Sequence, residues 1–266
     1  IAQGGYAKVS KGKLGNEIVA IKTCKEYPDS NGALLRKRIW REALLWRTLR
    51  HPNIVPFYGI FTHQEASLSG CSLVSKWMEN GTMQEYLEQT EKDNKYVNLA
   101  DVASGLKYLH THSPPVIHAD VKPSNVLIDG AETARIGDFG ISKVSYELID
   151  KTKTTTTQSS GTWPFSAPEI FNITRNSGSP FTAASDVWAF GMLMWQAFTG
   201  RVPYDECGRN PAAVIAAIAN KKKLPEFPLC QRSRERGFNV EVWKLMELYW
   251  NYDPKERPTM EFIESK

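Results

Sequence analysis

Apolar and polar residues alternate along Ile18-Val-Ala-Ile-Lys-Thr-Cys24. A period of two predicts a strand, with Ala20, Lys22 and Cys24 on one face and Val19, Ile21 and Thr23 on the other. Over residues 33–50 the spacing changes to that of a helix, with Leu35, Ile39, Trp46 and Leu49 in one stripe. Glu42 falls inside this stripe. Strand-like segments follow at Pro56–Phe61 and Ser72–Met78, and the second runs into a turn at Glu79-Asn80-Gly81. Thr82 is placed to cap a helix through Leu87. Another helix puts Leu99, Val102, Ala103, Leu106 and Leu109 on one face and ends near His110. Val116-Ile117 and Val126-Leu127-Ile128 read as short buried strands, and Asp129-Gly130 turns a strand pair towards Asp138. From Ser185 through Gly191 the chain is apolar on most sides, which predicts a buried helix.

Composition narrows the class without naming a chemistry. At 266 residues the chain is one large domain or two small ones, and 41% hydrophobic with 23% charged residues is ordinary for a soluble globular protein. Its longest apolar candidate, Val187–Phe198, is too short to span a membrane and contains Gly191 and Gln196. Cys24, Cys71, Cys207 and Cys230 are scattered, without metal-site spacing, so free thiols in a reducing, cytoplasmic setting are expected. Asn172-Ile173-Thr174 matches a glycosylation triplet, a match common by chance. The net charge of +4 is uneven: residues 1–75 carry 11 Lys/Arg against 5 Asp/Glu, a net +6, and the remainder carries −2. No basic stripe interleaved with aromatics accompanies this, so nucleic acid is not an expected partner.

Two places carry chemistry. A carboxylate on an inward helix face is costly unless paired, and Lys22 is the obvious partner for Glu42. Between the strands at 116–117 and 126–128 lie His118, Asp120, Lys122 and Asn125, packed into eight residues. Pro123 excludes a central strand there, so these groups sit on a loop held at both ends by core. An acid, a cation and an amide at i, i+2 and i+5 suit phosphoryl transfer. The carboxylate receives a hydroxyl proton, the ammonium steadies the phosphate, and the amide oxygen ligates a metal. Asp138 is a second metal-ligand candidate.

His118-x-Asp120-x-Lys122-x-x-Asn125 followed by Asp138-Phe139-Gly140 resembles the catalytic loop and metal-binding motif of the eukaryotic protein kinases. Other segments fit that family in order. Gly4, Tyr6 and Val9 match its glycine-rich loop, with Ala2 and Ala7 where glycines are usual. Ala20-Ile21-Lys22 matches its third-strand lysine, Ala167-Pro168-Glu169 the end of its activation segment, and Asp253–Pro258 the motif holding Arg257. Lys122 resembles the serine/threonine subclass, whereas His51–Gly59, Glu79–Thr82 and Ser185–Gly191 are similar to tyrosine kinases. That mixture is similar to the tyrosine-kinase-like group of serine/threonine kinases.

The resemblance implies an α+β, two-lobed fold: a small β-rich lobe with one main helix over 1–75 and a larger helical lobe over 76–266, together one catalytic domain. The first strand starts abruptly, so a fragment of a longer protein is expected. The implied activity is transfer of the ATP γ-phosphoryl to Ser or Thr hydroxyls of protein substrates, with Mg²⁺ or Mn²⁺, by a monomer or transient dimer. Asp120 would orient the hydroxyl and accept its proton, with Lys122, Lys22 and Glu42 completing the catalytic set and Asn125 and Asp138 holding metal. Ala2, Gly4, Val9, Ala20, Lys22, Ser75, Lys76, Trp77, Met78 and Leu127 would line the nucleotide site, Ser75 behind the base. Thr162 would dock peptide and touch the catalytic loop. His118, Phe139, Glu169, Asp186 and Arg257 would be structural, with Asp186 holding the loop backbone and Arg257 pairing with Glu169.

One departure bears on regulation. Ala119 stands where the family carries the arginine that senses a phosphorylated segment. Phosphorylation within Thr152, Thr154, Thr155, Thr156, Thr157, Ser159 and Ser160, met by Lys143 or Arg38, is therefore expected to have a modest effect. The rival reading is a catalytically weak pseudokinase, a nucleotide-binding interaction scaffold.

Overall fold

The computed structural model describes residues 2–3, 7–24, 32–62, 71–89, 96–139, 143–144, 162–171, 179–208 and 210–266. Strands β1 (Ala2–Gln3), β2 (Ala7–Leu14) and β3 (Glu17–Cys24) are followed by helix α1 (Gly32–Thr48), then β4 (Phe57–Thr62) and β5 (Cys71–Lys76). These strands form an antiparallel sheet in the order β1-β2-β3-β5-β4. Helix α1 lies against β4 and β5. Its stripe of Ile39, Ala43, Trp46 and Leu49 is buried, and Trp46 stacks on Phe57 with ring centroids 5.1 Å apart.

The remaining elements are mainly helical: α2 (Met83–Gln89), α3 (Leu99–Thr111), the short strands β6 (Val116–Ile117), β7 (Val126–Ile128), β8 (Ala134–Ile136) and β9 (Lys143–Val144), then α4 (Ala183–Thr199), α5 (Pro211–Ile215), α6 (Gln231–Glu235), α7 (Val240–Tyr249) and α8 (Met260–Glu264). A β-sheet lobe and a helical lobe are thus present. Most of the expected elements form with shifted ends. Strand β5 stops at Lys76, before the expected Met78, and the chain then turns at Gly81, where φ is +70° and a side chain would be strained. Thr82 caps α2 reciprocally: its Oγ1 accepts the Glu85 N–H, while the Glu85 carboxylate accepts the Thr82 N–H at 2.8 Å.

Helix α4 starts at Ala183, before the expected Ser185, because Thr182 is the cap and Ser185 bonds back to it. It is buried on nearly all sides, and Gly200 closes it at φ +72°. At Gly191 a Cβ would lie 2.6 Å from Trp250 Nε1, so only glycine lets α4 and α7 meet there.

The link from α1 to β4 is tied to the helical lobe. Asn53 Nδ2 donates to Ala134 O at 3.2 Å, Ile136 N–H to Asn53 O at 2.9 Å, and Val55 N–H to Ile136 O at 2.9 Å. The C-terminal end of α1 therefore has a fixed position relative to β8 and the segment that follows it. No helix among the described residues is long and apolar enough to cross a membrane. Cys71, Cys207 and Cys230 are free thiols.

Candidate active site

The loop from His118 to Asn125 is set by core at both ends and by one carboxylate below. Strands β6 and β7 bury Val116, Ile117, Val126 and Ile128. Asp186, in the first turn of α4 and 1% exposed, accepts the His118 N–H at Oδ2 (2.8 Å) and the Ala119 N–H at Oδ1 (2.9 Å). Its Oδ2 also meets His110 Nε2 at 2.9 Å. Ala119 is held at φ +67°, a conformation that disfavours a residue with a side chain, so the two charge-assisted bonds keep the chain in a strained turn. His118 is fully buried. Its Nδ1 accepts the Asp120 N–H at 3.2 Å, which leaves the proton on Nε2 to be donated to Gly137 O at 3.0 Å.

Asp120 is surrounded by donors. Lys122 Nζ and Asn125 Nδ2 each reach Oδ2 at 2.8 Å, and the Thr162 hydroxyl donates to Oδ1 at 3.0 Å. Lys122 Nζ also donates to Thr162 Oγ1 at 2.9 Å, closing a four-residue network. The second Asn125 N–H is donated to Asp120 O at 2.8 Å. Both amide hydrogens are thus engaged within the loop, and Oδ1 is the group left for a cation.

Across the cleft, Lys22 Nζ lies 3.0 Å from Glu42 Oε1 and 2.7 Å from Asp138 Oδ1. Glu42 is 7% exposed, so the inward carboxylate is paired and does not snorkel to solvent. Burial by itself would lower the Lys22 pKa; the carboxylates of Asp138 and Glu42 reverse that and hold it well above the ordinary lysine range. Asp138, at φ +61°, is a second strained residue of the site. Phe139 is buried beneath it, 5.4 Å from the Trp46 ring and 5.6 Å from His118. Trp46 is itself anchored by its Nε1–H to Val55 O at 2.7 Å. The aromatic series Phe57–Trp46–Phe139–His118 links the sheet, α1 and the loop.

The residues expected around the base gather at the junction of the lobes. Ala20 lies opposite Ser75 in the β3–β5 ladder, and Ser75 is buried opposite Phe57 on its other side. Val9 is half-buried opposite Lys22. Leu127, half-buried in β7, is bridged to Thr82 just past the connection between the lobes. Lys76 N–H is donated to Pro56 O and Trp77 N–H to Ile18 O. Met78 is 3% exposed, and its N–H has no partner among the described residues, an open donor at the connection between lobes. Ala2 pairs with Val9 in the β1–β2 ladder. Gly4 and the expected phosphorylation positions Thr152, Thr154, Thr155, Thr156, Thr157, Ser159 and Ser160 lie outside the described residues, as do the side chains of Arg38 and Lys143.

The expected structural pair forms bidentately: Arg257 Nη1 and Nη2 meet Glu169 Oε1 and Oε2 at 2.7 and 2.8 Å. Arg257 also donates to Ala184 O and Asn251 O, which ties the first turn of α4 to the segment between α7 and α8. Sequence reading did not reach four features. Trp46 appeared only as a core position, and Asp138 as a Lys22 partner had no signal. His110 looked like a helix end, and the positive φ of Ala119 left no trace in residue type.

Comparison with known proteins agrees with this geometry. The family model described as protein tyrosine and serine/threonine kinase matches residues 1–266. The chain is 30% identical to the Arabidopsis thaliana serine/threonine-protein kinase CTR1, over 99% of this chain and 30% of that protein. It is 33% identical to mouse mitogen-activated protein kinase kinase kinase 10, over 97% of this chain and 26% of that protein. Against the Arabidopsis serine/threonine-protein kinase STY46 the identity is 29%, over 97% of this chain and 41% of that protein. The chain thus spans between about a quarter and two fifths of these relatives' length. It belongs to the protein tyrosine and serine/threonine kinase family, in the tyrosine-kinase-like group, with Ala119 where that family carries an arginine.

Proposed function

We propose that this domain transfers the γ-phosphoryl group of ATP to serine or threonine hydroxyls of protein substrates. The observation that carries the reading is the arrangement at Asp120, whose carboxylate is fixed by Lys122, Asn125 and Thr162 on a loop anchored to α4. A carboxylate held this firmly can orient an incoming hydroxyl and take its proton at Oδ1 or Oδ2. Lys122, 2.8 Å from that carboxylate, brings a positive charge to where the transferring group would be. Lys22 would hold the nucleotide's phosphates, and Glu42 keeps Lys22 in place. Thr162 would carry the docked peptide's position to Asp120 through its hydroxyl.

Protein kinases use ATP and Mg²⁺. The side chains present suit such an ion: Asn125 Oδ1 is the remaining acceptor of its amide, and Asp138 supplies a carboxylate, both hard oxygen ligands. When bound, the ion would neutralise phosphate charge. Met78 N–H offers the base a hydrogen bond, and Ala20, Val9, Ser75 and Leu127 offer it apolar or small surroundings.

A nucleotide-binding scaffold is the weaker reading, because it needs no fixed proton acceptor. A cytoplasmic location and a monomer or transient dimer complete the proposal. The test is Asp120→Asn in a Mg²⁺–ATP assay with a degenerate Ser/Thr peptide library. Folding and ATP binding should persist while turnover falls at least about a hundredfold. Equal transfer by both proteins, or none by either, would refute it.

A further inference from the structure

Lys11 lies opposite Ala20 in the β2–β3 ladder, and Ala20 lies opposite Ser75 in the β3–β5 ladder. Directly opposed residues share a face of a sheet, and alternation adds Val9 and Lys22 to this face. Lys22 reaches Asp138, so the face is the one turned towards the helical lobe. Lys11 is exposed and has no carboxylate partner among the described residues. Its Nζ instead stands 4.9 Å from the centroid of the Trp77 ring. Trp77 sits two residues past Ser75, on the connection between the lobes, with its N–H donated to Ile18 O at 3.3 Å. The contact joins β2 to that connection.

We propose that Lys11 and Trp77 form a clasp across the outer mouth of the nucleotide cleft and slow nucleotide release. This rests on the ATP reading given above. The lysine and carboxylates mark the inner, phosphate end of the cleft, and the clasp lies at the opposite end, beside the open N–H of Met78. For β2 to lift away from the connection there, the ammonium must leave the ring. An exposed cation–π contact of this kind corresponds to a roughly two- to fivefold change in rate. The clasp touches no reacting atom, so Lys11 and Trp77 are positioning residues.

The experiment follows release of a methylanthraniloyl-ADP, loaded with Mg²⁺ and chased with excess ATP, by stopped-flow fluorescence. Lys11→Met and Trp77→Leu should each release it roughly two- to fivefold faster than wild type. Their combination should be no faster than the faster single variant, and Lys11→Arg should restore the wild-type rate. Melting temperatures, measured in parallel, should stay within about 4 °C, which separates a clasp from general loosening of the lobe. Unchanged or slower release in Lys11→Met, multiplicative effects of the two changes, or no rescue by arginine would overturn the clasp alone. Failure of wild type to bind the analogue at all would overturn the nucleotide reading and the clasp with it.

Discussion

Replacing Asp186 by asparagine tests whether one buried carboxylate sets the catalytic loop. Asp186 accepts three hydrogen bonds at 2.8, 2.9 and 2.9 Å from His118 N–H, Ala119 N–H and His110 Nε2. A hydrogen bond to a charged group is worth about 1.5–3 kcal/mol, and an unsatisfied buried donor costs a similar amount. Asparagine keeps one oxygen but turns an NH₂ towards one of the backbone N–H groups. One charge-assisted bond is lost and two donors are opposed, so the expected cost is about 3 kcal/mol. For a domain of this size that lowers the melting temperature by about 6–12 °C.

The loop should also loosen where Ala119 is held at φ +67°. Asp120 is the next residue, and a displacement of about 1 Å can cost a hundredfold in rate, so kcat should fall by about ten- to a hundredfold. Ala119→Gly is the opposing control. Glycine adopts this conformation freely, and relief of the strain should leave the protein as stable as wild type or up to about 1 kcal/mol more so. Thermal melts by circular dichroism and steady-state kinetics on the purified domain read both. A melting point for Asp186→Asn within about 2 °C of wild type, with kcat within about twofold, would show that other contacts hold the loop.

In a double-mutant cycle of Lys22→Met and Glu42→Gln, turnover should be non-additive by more than about 1 kcal/mol; additive losses would mean that the pair does not form in the active state. Lys22→Met should be the worse single change, since it removes a partner from both Glu42 and Asp138, while Glu42→Gln leaves Lys22 with Asp138. Ser75→Phe should keep ATP turnover and reject inhibitors that place a bulky group beside Ser75, and unchanged inhibitor affinity would remove this residue from the pocket. For Asp129, burial pushes the pKa up, but the Arg135 guanidinium and the Thr133 and Ala131 N–H groups outweigh it and hold the carboxyl below its usual range. A depressed carboxyl stabilises above its unfolded pKa and loses that contribution as pH falls through the folded value. Asp129→Asn should therefore be less stable than wild type at pH 7 and converge with it in acid, below about pH 4, as followed by urea melts across pH. A gap that persists in acid would assign the loss to packing.

Much of the site was legible because its chemistry depends on short-range order in the chain. His118, Asp120, Lys122 and Asn125 fall within one loop, and flanking β-branched runs with Pro123 between them suffice to place that loop between strands. The Glu42–Lys22 pair was legible for a different reason. A charge inside an apolar stripe demands a partner, and the demand holds before any contact is known. Element ends were less accessible, because hydrogen bonds decide them: Thr182 and Ser185 start α4, and Gly81 ends the run after β5.

What the tertiary structure alone decided are contacts between parts far apart in sequence. Asp138 turns to Lys22, 116 residues away, and His110 joins Asp186 from the end of another helix. Trp46 carries packing from Phe57 to Phe139, although its own neighbours in sequence mark it only as core. The left-handed turns at Ala119 and Asp138 follow the same logic. Local preference opposes the turn at Ala119, which persists because the carboxylate of Asp186 holds it; aspartate enters this region more readily, and the Asp138 side chain is held there by Lys22. Periodicity and residue type report what each segment prefers by itself; strain and long-range pairing exist only where several segments constrain one another.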